Sequence, residues 1–187
     1  MAPSRYPNKH VGIYKRATDD SYESVKFFEG QPVTLDHEIR FIFDESPLHR
    51  LTRLGCLWTN INPPLVNREI GDVLLRHVEG DIQLLNAHII AMDGRTDEFS
   101  LLNITSLVHC LDYERSVITS FFKDGSPEGI SKLRLKTDGC MNGHEIARLE
   151  AYCPIKLVSE KLHQALSELK YPGLHFELDS DGDGKRV

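Results

Sequence analysis

Two segments of this chain carry the same helix-building grammar, and they constrain the fold more than any other feature. In the first, Pro64-Leu65-Val66 reads as extended, because prolines bias their neighbours away from helix. Asn67 is then a good N-cap, and Glu69 suits the positive first turn. Ile70, Val73, Leu74 and Val78 recur at helical spacing and form one apolar stripe, so a helix is predicted over Arg68–Val78. Gly80 stops it, and Asp81–Met92 returns as a strand. In the second segment Ile155–Val158 is extended and Ser159 is the cap. Leu162, Ala165, Leu166 and Leu169 form the stripe of a helix over Glu160–Leu169. Pro172 and Gly173 end it, and Leu174, Phe176 and Leu178 alternate as a strand. The copies align without a gap, Leu65-Val66-Asn67 over Leu157-Val158-Ser159 and Ile82 and Leu84 over Leu174 and Phe176. Such a strand–helix–strand echo arises by duplication, or simply because capped amphipathic helices look alike; both readings stand at this level.

Strands dominate elsewhere. Val11–Lys15 and Ser24–Phe28 flank a polar turn at Ala17–Tyr22 and read as a hairpin-like pair. Arg40–Phe43 is a short apolar run, and Leu48–Asn62 is ambiguous. Phe99–Leu111 and Val117–Phe122 are apolar runs, with a turn at Asp124–Pro127. Lys132–Thr137 alternates as a half-exposed edge strand, and Glu145–Leu149 is the last short run. A chain of 187 residues suits one domain and buries roughly 70% of its unfolded surface. Few helices among many strands give the α+β class: a single domain, mostly antiparallel sheet, with a few packed helices and the repeated unit.

Charge and composition remove several function classes. The net charge of -6 repels phosphate backbones, so nucleic acid is not an expected partner. No apolar run approaches the roughly 18 residues that span a bilayer, so no membrane is expected either. Met1–His10 has no apolar stretch behind it and does not read as a secretory signal, which makes the cytoplasm the expected compartment. Cys56, Cys110, Cys140 and Cys153 are irregularly spaced with no C-x-x-C, and four reduced thiols are expected. Cys140, His144 and Cys153 are the best zinc set and match no common spacing, so no metal is expected. Asp179–Gly184 copies the first half of an EF-hand loop without its closing glutamate; residues 179–187 are read as a disordered acidic tail.

Catalytic motifs are missing: no G-x-S-x-G, Walker loop, H-E-x-x-H or dinucleotide fingerprint occurs. His109 and Cys110 stand near Asp112 and Glu114, but neighbours on a strand point to opposite faces. No catalytic residue and no cofactor is therefore expected. Acidic residues cluster at Asp93, Asp97 and Glu98, at Asp112 and Glu114, and at Asp19, Asp20 and Glu23. They read as solubilising charge or as a face complementary to a basic partner.

Three stretches together resemble one family: PPLVNREIGDVLLRHVEGDIQLL, LLNITSLVHCLDYERS and EIARLEAYCPIKLVSEKLHQALSELKYPGLHFEL. They are similar to the Imm11 family of bacterial immunity proteins, which belongs to polymorphic toxin systems. Leu65, Val66 and Asn67 match its lead-in to a first helix, and Leu101, Leu102 and Asn103 its "LLN" strand. Cys110, Asp112, Glu114 and Ser116 match its C-x-D-x-E-x-S segment. Val158, Ser159 and Glu160 match its "VSE" helix start, and Gly173 and Phe176 its final strand. The match covers residues 63–178; residues 1–62 match loosely and are read as a strand-rich N-terminal part of the same domain. The resemblance implies an α+β fold and non-catalytic binding of a cognate toxin in the producing cell. The acidic charge suggests a basic toxin such as a nuclease, met by Asp93, Asp97, Glu98, Asp112 and Glu114. The alternatives are an adaptor or chaperone for a secreted effector, and an enzyme with a Cys/His-containing site.

Overall fold

The pentapeptide Ile39–Phe43 shows how this chain builds its centre. Ile39, Phe41 and Phe43 are buried while Arg40 is exposed, the period of two that a half-buried strand requires. In the computed structural model, which describes residues 11–15, 22–136, 139–172 and 174–177, this strand is one stave of a closed six-stranded barrel. The staves are β1 (Val11–Lys15), β2 (Ile39–Phe43), β3 (Cys56–Thr59), β4 (Leu65–Asn67), β5 (Ile82–Ala91) and β6 (Gly94–Ile104), ordered β1-β2-β5-β6-β4-β3. Antiparallel pairs predominate, but β2–β5 and the closing β1–β3 pair are parallel. Closure brings the Phe43 ring over Gly12, where a side chain would sit 2.5 Å from the ring. Residues on both sides of position 62 supply staves to the same barrel. The fold is α+β in a single domain.

Inward side chains fill the barrel: Phe41, Phe43, Leu57, Leu65, Ile89, Phe99 and Leu101. Phe27 from α1 (Tyr22–Glu29) and Leu51 from α2 (Leu48–Leu51) join them. Ser24–Phe28 is thus helical, not the second arm of a hairpin. A short apolar run has no decisive period, and here one buried phenylalanine sets the packing. The ambiguous Leu48–Asn62 stretch resolves into α2 and β3.

A second core lies outside the barrel. Val66, Leu102 and Ile104 face α3 (Arg68–His77) and α4 (Glu160–Ser167), whose Ile70, Val73, Leu74, Leu162 and Leu166 cover them. Both predicted caps form: Asn67 Oδ1 accepts from the Ile70 N–H at 3.0 Å, and Ser159 Oγ from the Leu162 N–H at 3.1 Å. The echo ends there. After α3 the chain enters β5, whereas Leu174–Glu177 form no strand; Gly173 and Leu178 lie outside the described residues. Leu174 and Phe176 instead pack half-buried on the helical layer, with Phe176 edge-on to His163 at 4.8 Å. The shared pattern is that of helix starts, not of a complete repeated unit.

The third core joins β7 (Leu107–Val108), β10 (Ile146–Leu149) and β11 (Lys156–Val158) to a two-stranded hairpin, β8 (Val117–Phe121) and β9 (Pro127–Lys132). Only Lys132 of the predicted edge strand Lys132–Thr137 is in a strand; Leu135 forms an isolated bridge with Leu111, and Thr137 is outside the described residues.

Four free thiols are not present. Cys110 and Cys140 form a disulfide, and Cys56 and Cys153 remain free. The hairpin folds back between the two half-cystines and brings their Cα atoms to 5.1 Å, inside the range a disulfide needs, a proximity that linear spacing hides. Thiol titration of the denatured, unreduced protein should find two thiols, rising to four after reduction. Four before reduction would remove the bond.

Candidate functional site

The acidic candidates are mostly occupied in building turns. Asp93 sits between β5 and β6, and its Oδ1 accepts the Leu48 N–H at 2.6 Å. It thereby caps α2, whose own N-cap residue, Pro47, offers no side-chain acceptor. A register shift between Ala87 and Ile89 puts an extra residue into β6, and Asp97 there meets His88 Nδ1 at 2.6 Å. Asp112 accepts the backbone N–H groups of Glu114 and Arg115 at 3.0 Å each and Arg115 Nε at 2.7 Å. The Arg115 guanidinium holds the Asp112 carboxyl below the usual carboxylate range. Glu98 and Glu114 are exposed. The two groups do not share a loop or a sheet: Asp93 is at the tip of the β5–β6 hairpin, and Asp112 follows only after the chain has left that hairpin's other end. Asp19 and Asp20 lie outside the described residues, as does the tail from residue 178.

The feature missed in the sequence is the solvent face of the β8–β9 hairpin. Ile118 and Ile130 turn inward to the third core. Val117, Phe121, Phe122 and Tyr113 are 49%, 55%, 53% and 54% exposed. The signal was available in Phe121-Phe122, since adjacent strand residues cannot both face one core. Asp124 shapes the turn by accepting from the Ser126 N–H at 3.0 Å and its hydroxyl at 2.6 Å.

A buried polar cluster lies where the barrel meets β10 and β11. Arg148 is fully buried; its Nε donates to the Ile104 carbonyl at 2.8 Å. Asn103 donates to the Gln31 carbonyl at 2.8 Å and to Gln83 Oε1 at 3.1 Å, and Gln83 in turn bonds both backbone groups of Val33. Lys156 Nζ donates to Asn62 Oδ1 at 3.0 Å and to the Pro154 carbonyl at 3.1 Å, with the Trp58 ring centroid 5.9 Å away. Burial, then the Arg148 charge, pushes the Lys156 ammonium down to about 8, and burial pushes the Cys56 thiol up to about 12. The hydrogen bonds described for this cluster all go to backbone or amide groups, which is the work of joining loops.

That lysine has a measurable consequence. Between its folded pKa of about 8 and its ordinary value of 10.5, the folded chain binds fewer protons than the unfolded one. Its burial therefore costs stability below about pH 8, and stability recovers as pH rises through that window. Urea midpoints at about pH 7 and about pH 9 should show the wild type gaining about 1 kcal/mol on Lys156→Met, which lacks the titrating group. An unchanged gap would mean the ammonium is solvated.

His109 and Cys110 do not make a nucleophilic pair. His109 is exposed, its Nδ1 2.7 Å from Glu150, whereas Cys110 is fully buried and bonded to Cys140. Among the described residues no three His, Cys, Asp or Glu side chains are placed to hold a metal. Two surface recesses flank the helices: one of about 500 Å³ along Glu69, Asp72, Leu75 and Arg76, one of about 210 Å³ beside His163, Lys170, Tyr171 and Phe176. Neither is lined by Lys156 or a cysteine. No helix among the described residues is long and apolar enough to cross a membrane. No family model matches the chain, and no curated protein matches it.

Proposed function

We propose that this chain is a non-catalytic immunity protein, which binds a cognate bacterial toxin in the producing cell and neutralises it. It does so by covering the toxin's active site or by holding it inactive. The observation that carries this reading is the exposure of three aromatic side chains on and flanking the β8–β9 hairpin, Phe121 on β8, Phe122 just after it and Tyr113 just before it, since interface cores are rich in Tyr and Phe. Exposed charged residues occur in the same stretch of chain, Glu114 and Lys123 adjacent in sequence to Tyr113 and Phe122, and Glu128 and Lys132 on β9. The motif resemblance of residues 63–178 to Imm11, read from the sequence and not matched by any family model, points the same way. The net charge of -6 favours a basic partner, and a nuclease needs a basic surface to attract phosphate. Of the acidic candidates, Glu98 and Glu114 are the ones to reverse in charge, because Asp93, Asp97 and Asp112 are bonded within the fold.

The test expresses the protein encoded by the adjacent gene with and without this chain and follows survival. Protection together with a purified one-to-one complex is the expected result. Binding without protection would make the chain an adaptor or chaperone. Protection without a complex would make it an enzyme. A neighbour that is harmless and does not bind removes the immunity reading.

A further inference from the structure

We infer that the Cys110–Cys140 pair is a redox-responsive staple that holds the aromatic hairpin in its docking pose. This rests on the hairpin being the docking surface, as proposed above. A two-stranded hairpin is marginal in water by itself. This one pairs with irregular register at three steps, and among its strand residues Ile118 and Ile130 join the third core only half-buried while Pro127 is buried at the start of β9. Its order therefore depends on how its root is held. Non-covalent ties there are the Leu111–Leu135 bridge, with the Asp112 N–H to the Arg134 carbonyl at 3.0 Å and the Lys136 N–H to the Cys110 carbonyl at 2.8 Å on either side of it, Arg115 to the Leu135 carbonyl at 2.7 Å, and the Ser116 hydroxyl, which donates to the Arg134 carbonyl at 3.1 Å and accepts from the Arg134 N–H at 3.0 Å. The covalent tie is the disulfide, whose half-cystines bracket the whole segment at a sequence separation of 30. Cys110 is fully buried among Val108, Leu111 and Leu149, while Cys140 is half-buried in the turn at 139–143, on the accessible side of the bond.

The chemistry is thiol–disulfide exchange. A low-molecular-weight dithiol gives two electrons and two protons to the S–S bond; Cys110 and Cys140 become thiols, and the dithiol closes to its own disulfide. In a reducing compartment such pairs are characteristically transient, forming and breaking with the thiol poise rather than persisting. The oxidised chain holds the hairpin and its exposed aromatic side chains covalently at the root; the reduced chain leaves the hairpin on its non-covalent ties alone.

The experiment compares backbone amide hydrogen exchange of the full chain, oxidised and after dithiothreitol, with Cys140→Ser as the permanently open form. Amides of residues 117–132 are expected to exchange at least ~10-fold faster after reduction, while those of β6 change little. Cys140→Ser should behave as the reduced chain in both conditions. Equal protection of the hairpin in the two states overturns the proposal, as does general loss of protection across the barrel, which would make the bond a global stabiliser. Affinity for the protein encoded by the adjacent gene is then measured in both states, and a fall of at least ~10-fold on reduction is expected. Equal affinity in both states overturns the docking role of the staple. Failure of the neighbour to bind in either state sinks the immunity reading and that docking role, while the exchange data still decide whether the hairpin is redox-controlled.

Discussion

Replacing Phe41 by alanine is expected to lower the unfolding free energy by about 3–5 kcal/mol, the usual loss for a phenylalanine removed from a packed interior. The ring is fully buried at the centre of the barrel, against Tyr14 at 5.5 Å between centroids, and a barrel wall held by hydrogen bonds on both sides cannot close over the space left. Urea titration measures it directly. Phe41→Leu, which refills most of the volume, should restore well over half of the loss. If Phe41→Ala costs less than about 1 kcal/mol, the barrel interior is not the packed core described.

A comparable loss is expected from one methyl group at Gly30. Its φ is +70°, and an added Cβ would lie 2.6 Å from the Ile104 carbonyl oxygen and 2.8 Å from the Arg148 side chain. A left-handed alanine costs about 1–2 kcal/mol in backbone energy. Overpacking against a carbonyl adds about 1–3 kcal/mol. About 3 kcal/mol in all is expected, with thermal unfolding as the readout. Because Arg148 Nε bonds that same carbonyl, the substitution also presses on the guanidinium that joins β10 to the barrel. A near-neutral Gly30→Ala would show that the turn after α1 relaxes freely.

Helices α3 and α4 were the most legible part of the sequence because their signals are local, whereas α1 was read as a strand and α2 lay in an ambiguous stretch. A cap and its stripe lie within a dozen residues, and Asn67 and Ser159 both do what their positions predict. What was not legible depends on partners far along the chain. Phe27 reads alike in a strand or a helix until the barrel interior exists to receive it. Leu174 and Phe176 alternate like a strand, yet the helical layer offers them an apolar surface and no strand edge. The Cys110–Cys140 bond is invisible until the intervening hairpin folds back. Candidate binding residues suffered in the same way: acidic clusters stand out in a linear sequence, but three of those five carboxylates are bonded to hold turns or cross-strand pairs. Phe121-Phe122 reads as part of an apolar run, although two adjacent strand residues cannot both face one core, and both rings are exposed.

One strand has a consequence for how the molecule comes apart. β6 sends Phe99 and Leu101 into the barrel and Leu102 and Ile104 into the helical layer, so two hydrophobic cores share a single wall. Neither can melt while the other stays intact, because losing one face strips the strand's support on the other. Barrel and helices should therefore disappear in one cooperative transition, with calorimetric and van't Hoff enthalpies in agreement for that unit. The third core is tied in by the same device, since β10 sends Ile146 to the helical layer and Ala147 and Leu149 to the third core; the β8–β9 hairpin, whose Ile118 and Ile130 join the third core alone, is the part free to come undone first and the part where sequence change is least constrained by the rest of the fold.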